Sequence, residues 1–382
     1  MRVSTLSLRN YRNYAEADIE LVAGCTMLFG ANGQGKTNVV ESLFFLSSLS
    51  SHRTSQNAAL IRRGENQAII RTQLTAQSRS ISLELELNRD AANRAQVNGN
   101  LGKLKDFPNY LSVVLFSPEQ LQLVHGEPQG RRSYIDDLCA HLLPRISGVL
   151  TDYDRVVKQR NTLLKSIGTH GKRITEWSTL DVWNDKFVQL ATEVAQMRHQ
   201  VVSNLTPHLK AAYSALVEGD HRPVIAMTYE GLVLSFASVG QPQVQAFEPV
   251  EYAEQLRAFL DSHRDKECER GVTLAGPHRD DIFFGLNELP AKGSASHGES
   301  WSYMIALNIA AATVIREQST LGDPILILDD VFSALDVDRR ERLAGVVSQF
   351  EQSIVTCAVQ SDVPAQMRAR VVPVHAGTLG QS

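Results

Sequence analysis

The sequence predicts an α/β fold interrupted by a mainly helical second domain, and three observations carry that expectation. A short apolar stretch, Cys25–Phe29, runs into a glycine-rich loop and then into a helical pattern. Residues 127–215 have the apolar spacing of long helices. Near the far end, "PILILDD" reads as a buried strand. An α/β beginning, a helical middle and an α/β end suggest one head whose two halves are separated by an insert.

Composition narrows the class. The 382 residues exceed one small core, and 43% hydrophobic with 21% charged residues is ordinary for a globular protein. Cys25, Cys139, Cys268 and Cys357 are widely separated and lack metal-ligand spacing, which argues against zinc and for a reducing compartment. No run approaches 18 apolar residues, and "MRVSTLSLRNYRNY" lacks the apolar region of a signal peptide. A cytoplasmic protein with no membrane partner is expected. The net charge of −4 does not announce a nucleic-acid binder. Residues 128–173 nonetheless carry nine Lys/Arg against four Asp, either a solvated helical surface or a phosphate-binding patch.

The elements follow in order. "ISLELELN" alternates strictly and predicts a half-buried strand, as do "ADIEL" and "AIIRTQL". Asn98-Gly99 is a hairpin turn signal, and "LSVVLF" suits a buried strand. Beyond Pro118 come helices, with a break at 168–171. Leu180, Trp183, Phe187, Leu190, Val194, Met197 and Val201 then recur at alternating spacings of 3 and 4, a short heptad seam expected to pack as a helical hairpin. Strands are expected at "PVIAMTYEG" and "LVLSFA", a helix near 250–268, and alternating strands and helices from 272. The expected domains are 1–118 and 271–382, forming the head, and 119–270, forming the insert.

The loop between Phe29 and the following helix carries the chemistry. Gly30, Ala31, Asn32, Gly33, Gln34, Gly35, Lys36 and Thr37 satisfy GxxxxGK[ST], and Asn38 continues into the helix. In a strand–loop–helix setting this is a phosphate loop: backbone N–H groups and the helix dipole receive phosphate oxygens. Lys36 neutralises them, and the Thr37 hydroxyl reaches Mg²⁺. ATP or GTP with Mg²⁺ is therefore the expected ligand. The second metal anchor is expected from Asp329 at the end of "PILILDD", with Asp330 facing the attacking water.

"SASHGESW", residues 294–301, is open to three readings. Ser296, His297 and Glu299 are the residue types of a hydrolase triad, although no GxSxG strand–elbow context surrounds them. Ser296 and Glu299 also satisfy an S-x-x-E capping box. The third reading is a contact to a ligand that the rest of the chain holds.

"ASHGE" before a long helix resembles the signature of ABC-type ATPases, and "FSALD" after the aspartates resembles their D-loop. A helical insert between phosphate loop and signature is similar to SMC-type heads. The stretches "LRNYRNY", "GANGQGKTNVVESLFFLS", "SHRTSQNAALIRRG", "VVLFSPEQLQLVHGEPQGRRSYID", "LAGPHRDD", "SASHGES" and "ILILDDVFSALD", spread over residues 8–336, resemble the RecF family of bacterial recombination-repair ATPases. That resemblance implies an ABC/SMC-type P-loop ATPase head which dimerises around two ATP molecules. Ser296, Gly298 and Glu299 would then serve the ATP of the second copy. It implies a weak, DNA-stimulated ATPase acting as a switch, with Lys36 and Asp330 catalytic, Thr37 and Asp329 on the metal, and slow turnover because aspartate stands where transporter ATPases carry glutamate.

The same resemblance implies binding to single-stranded, duplex and gapped DNA, a role in the SOS response, and work with sister mediators to load a recombinase. Arg131, Arg132, Arg155, Lys158, Arg160, Lys172 and Arg173 are the candidate DNA contacts. Arg12 is either a nucleotide contact or a surface arginine. Glu119 either couples nucleotide to the insert or caps a turn. Arg279 and Asp280 are expected to pair within the core. The competing function is an ABC subunit energising a membrane transporter; the large insert and the missing switch histidine argue against it.

Overall fold

The computed structural model describes residues 1–54, 56–76, 79–170, 174–236, 245–368 and 370–380. The chain divides into two compact units: Met1–Gln122, Ala211–Asp220 and Ser296–Ser382 make the first, and Leu123–Lys210 with His221–Ala295 the second.

The first unit opens with β1 (Arg2–Tyr11), β2 (Tyr14–Glu20), β3 (Gly24–Phe29), α1 (Lys36–Ser48), β4 (Gln67–Ala76), β5 (Arg79–Asn88), β6 (Arg94–Val97), β7 (Asn100–Gly102) and β8 (Val113–Phe116). An antiparallel sheet has the order β2-β1-β4-β5-β6-β7. The alternation in β5 becomes one buried face, Leu83, Leu85 and Leu87, opposite half-exposed Glu84 and Glu86. Asn98 and Gly99 turn the β6–β7 hairpin with φ of 53° and 77°, the left-handed pair such turns need.

The middle of the chain contributes α2 (Leu121–His125), α3 (Pro128–Leu142), α4 (Ile146–His170), α5 (Ile174–Leu216), β9 (Pro223–Thr228), α6 (Pro249–Arg270), β10 (Asp281–Leu286), β11 (Leu289–Pro290) and α7 (Ala291–Ser294). Along α5 the expected seam buries Leu180, Phe187, Leu190, Val194 and Val201. Two expectations are corrected. Residues 232–236 of "LVLSFA" form no strand, and Ala237 lies outside the described residues. The second boundary falls near Ala295 rather than 270, because β10 pairs antiparallel with β9 over Asp281–Leu286 and so joins the second unit.

The return to the first unit brings α8 (His297–Gln318), β12 (Ile325–Asp329), α9 (Val337–Val347), β13 (Gln352–Cys357), β14 (Arg370–His375) and β15 (Thr378–Leu379). These complete a second sheet, β15-β14-β3-β13-β12-β8, in which the five strands from β14 to β8 run parallel. All five residues of β12 are buried, as its unbroken apolar run requires. One hydrophobic core joins the two sheets through α1, with Leu8, Val40, Leu43, Leu46, Ile70, Leu85, Ile327 and Ile354 among its residues.

Several basic residues of the second unit are structural. Arg131 Nε and Nη2 each donate to Asp281 at 2.8 Å, and its Nη1 donates to the carbonyls of Leu123 and Gly126. Arg160 is 1% exposed and donates to Asn184, Thr273 and Glu267. A desolvated guanidinium held this way cannot reach a DNA backbone, so both leave the set of candidate DNA contacts. Arg132 is half-buried and donates to Asp280 O at 2.7 Å. Arg155, paired with Asp152, and Lys158 are exposed. Lys172 and Arg173 lie outside the described residues.

The expected Arg279–Asp280 pair does not form, because the two consecutive side chains take different environments. Arg279 is exposed, whereas Asp280 is fully buried, with Oδ1 accepting the Glu230 N–H at 3.1 Å and Oδ2 unpartnered. Burial pushes the Asp280 carboxyl up to about 7. Its folded-state pKa thus exceeds the unfolded value of about 3.9. Its contribution to stability is full below that lower value and is lost as pH rises through about 7. Asp280→Asn should therefore flatten the fall in melting temperature between pH 5 and pH 8. Parallel profiles for the two proteins would show that Asp280 is ionised throughout.

Candidate nucleotide-binding site

The loop Gly30–Thr37 leaves β3 at the C-terminal edge of the parallel sheet, the edge where such sheets bind ligands. Two of its glycines, Gly30 and Gly35, leave no room for a side chain. A Cβ on Gly30 would lie 2.2 Å from the Val374 carbonyl oxygen. Gly35 has φ of 117°, and a Cβ there would meet Asn13 Nδ2 at 2.6 Å and Tyr14 OH at 2.8 Å. Lys36 is 4% exposed, and its Nζ donates to Gly30 O at 2.8 Å and Ala31 O at 3.2 Å. The ammonium thus spans the loop while Ala31, Asn32 and Gly33 form an exposed crest. Gln34 O accepts the Gly377 N–H and Asn13 Nδ2, and Gln34 Oε1 accepts the Ala376 N–H, which moors the loop to both sheets. Asn38 Nδ2 donates to Asn13 Oδ1 at 2.7 Å.

Thr37 and Asp329, 292 positions apart, meet: Thr37 Oγ1 donates to Asp329 Oδ1 at 3.1 Å. Asp329 is 3% exposed, and burial first, then the neighbouring Asp330 charge, pushes its carboxyl up to about 6. Asp330 follows in a left-handed conformation, φ 53°. Burial also raises its pKa, the charge of Lys36 opposes the rise, and that of Glu119 adds to it. Glu119 is exposed, and in the turn Pro118–Gln120 the capping bond runs from the Ser117 N–H to Gln120 Oε1 at 3.3 Å. Gln120 Oε1 also accepts Asn308 Nδ2 at 2.8 Å.

At the start of α8 the capping box is complete. Glu299 N–H donates to Ser296 Oγ at 3.3 Å, and Ser296 N–H donates to Glu299 Oε2 at 2.8 Å. The triad reading fails here, because His297 Nε2 accepts from Trp301 Nε1 at 3.1 Å instead of meeting Ser296. As an acceptor in its cap, Ser296 Oγ keeps its own proton for another acceptor. These hydrogen bonds of Ser296 stay within its own turn.

Arg12 is an anchored arginine. It forms a bidentate pair with fully buried Glu41 at 2.9 and 2.6 Å and donates to Ala59 O at 3.0 Å. It borders a cavity of about 490 Å³ beside the phosphate loop, shared with Asn13, Asn38, Arg53, Arg63 and Arg89. Arg53 Nη1 donates to Asn38 Oδ1 at 2.8 Å. Arg53, Arg63 and Arg89 are exposed cations outside the expected site residues; the arginine-rich "SHRTSQNAALIRRG" carries the signal for Arg53 and Arg63.

No helix among the described residues is long and apolar enough to cross a membrane. The family model for the RecF/RecN/SMC N-terminal domain matches residues 2–378. The chain is 46% identical to the DNA replication and repair protein RecF of Clavibacter sepedonicus, over 100% of this chain and 95% of that protein. It is 45% identical to the RecF of Leifsonia xyli subsp. xyli, over 99% of each. Among solved structures, the recombination mediator protein RecF with ATP matches at TM-score 0.88 and 23% identity, covering 100% of this chain and 97% of that one. An Smc head bound to the C-terminal winged-helix domain of ScpA matches at TM-score 0.53 and 15% identity, covering 99% and 96%. Matched over nearly its whole length by this family model and by these relatives, the chain belongs to the RecF family of DNA replication and repair proteins.

Proposed function

We propose that the chain is an ATP-gated DNA clamp of recombinational repair. The observation that carries this is the Thr37–Asp329 hydrogen bond, which joins the phosphate loop to the aspartate strand in one site. ATP is the nucleotide, by analogy with the solved RecF–ATP structure of the RecFOR pathway. A hydroxyl oxygen and a carboxylate oxygen 3.1 Å apart are hard donors suited to Mg²⁺, which takes few protein ligands and completes its shell with phosphates and water. Thr37 and Asp329 would hold it, and it would neutralise phosphate charge.

ATP brings two copies face to face, each offering the Ser296 hydroxyl and the Gly298 N–H to the γ-phosphate of the other, so ATP favours the dimer and ADP does not. Hydrolysis is slow. A water oxygen bonds to the γ-phosphorus as the β–γ bridge bond breaks, Asp330 takes the water's proton, and Lys36 steadies the phosphates. Arg155 and Lys158, with Lys172 and Arg173, contact DNA phosphates, and Arg53, Arg63 and Arg89 add positive charge beside the loop. The dimer marks single-strand/duplex gaps and works with sister mediators in recombinase loading and the SOS response, in the cytoplasm. The transporter reading loses ground because the full-length relatives are DNA replication and repair proteins.

Binding to gapped, duplex and single-stranded DNA with ATP, ADP or no nucleotide tests this. ATP should tighten binding to gapped DNA, with a steep salt dependence. Equal affinity in all three nucleotide states would overturn the clamp.

A further inference from the structure

We infer that Thr356 is a positioning residue for ATP hydrolysis, a hydroxyl that holds the two site aspartates in register. Thr356 lies on β13, opposite Asp329 in the parallel pairing with β12, and is fully buried. Its Oγ1 accepts the Asp330 N–H at 3.0 Å and donates to Asp329 Oδ1 at 2.5 Å. The direction of both bonds is forced. A backbone N–H only donates, so the hydroxyl accepts there and its single proton goes to the carboxylate.

The consequence lies at Asp330. A non-glycine residue at φ 53° is strained, and such a conformation persists only where neighbours over-determine it. Two bonds hold this turn. Ser333 Oγ donates to Asp330 O at 2.7 Å on one side, and Thr356 receives the Asp330 N–H on the other. Only the second bond is linked to the Asp329 carboxylate, whose same oxygen also accepts from Thr37. One oxygen chain therefore runs from the phosphate loop through Asp329 and Thr356 to the backbone that aims the Asp330 carboxylate. Without the hydroxyl the Asp330 N–H is left unpaired at a half-buried position, and the turn relaxes away from the left-handed form.

This inference rests on Asp330 serving the attacking water, so the test separates the two. Thr356→Val has nearly the same shape and can neither donate nor accept. It should bind ATP within a few-fold of the parent and still dimerise, while single-turnover hydrolysis falls on the order of ten- to a hundredfold. The ATP-bound dimer should live correspondingly longer, read by dilution of a fluorescently labelled dimer. Thr356→Ser restores the hydroxyl and should recover most of the rate, and in an Asp330→Asn background Thr356→Val should add little. Parent-like turnover in Thr356→Val, with Asp330→Asn slow, would overturn the role of Thr356 alone. Parent-like turnover in Asp330→Asn would remove the reading on which it rests. Equal losses of ATP affinity and turnover, with no rescue by serine, would make Thr356 merely structural.

Discussion

Lys36→Ala is expected to abolish nucleotide binding, weakening ATP by more than about a hundredfold, because it removes charge-assisted hydrogen bonds to more than one phosphate. The geometry makes this residue hard to replace. Its ammonium is nearly enclosed by the loop and held by the carbonyls of Gly30 and Ala31, so it waits where phosphate oxygens must enter. Asn13, Gln34 and Asn38 tie the loop to its surroundings independently of Lys36, so the variant should keep its fold. Equilibrium titration with a fluorescent ATP analogue, beside a melting curve, checks both statements. Unchanged affinity would mean that the nucleotide does not sit in this loop. Since ATP drives dimerisation in the proposed mechanism, the variant should also remain monomeric and bind DNA alike with and without ATP.

What could be read in advance was local. The phosphate loop needs a strand, fixed glycine spacing and a helix start, all within twenty residues, and Cys25–Ser42 shows them directly. Asp329 was legible because β12 is buried on every side and so has no polar residue until its end. The two arginines withdrawn as DNA contacts show the opposite case. Arg160 lies on the same helical stripe as Tyr153, Val156, Leu164 and Ile167, and Arg131 on that of Ile135 and Leu138, all buried. Counting basic residues along the chain ignored the face they occupy, whereas helical spacing carried the signal. Nothing in "SIVTCAV" singles out Thr356, since its partners lie on another strand and become neighbours only through the β12–β13 register. The sheet that β10 joins was hidden for the same reason, because a six-residue strand does not name its partner.

Ser296→Arg should leave ATP binding intact and eliminate the ATP-dependent dimer. Ser296 is exposed, its Oγ acts as acceptor in the capping box, and its own proton remains for an acceptor beyond the chain. The cap alone predicts something milder: Ser296→Ala should cost about 1 kcal/mol of stability by leaving an N–H at the helix start unpaired. Arginine instead places a long cation on the surface that must close over the partner's γ-phosphate. Sedimentation with ATP separates the two roles, since a lost cap lowers the melting temperature of both variants without changing the oligomer, whereas a blocked interface removes the dimer in Ser296→Arg alone. Normal dimerisation of Ser296→Arg with ATP would refute the shared site. Mixing the two crippled proteins sharpens the test further. Lys36→Ala keeps a sound signature and Ser296→Arg a sound phosphate loop, so a heterodimer contains one complete site assembled from both chains. If each site is built from two subunits, the mixture should form ATP-dependent dimers that neither variant forms alone.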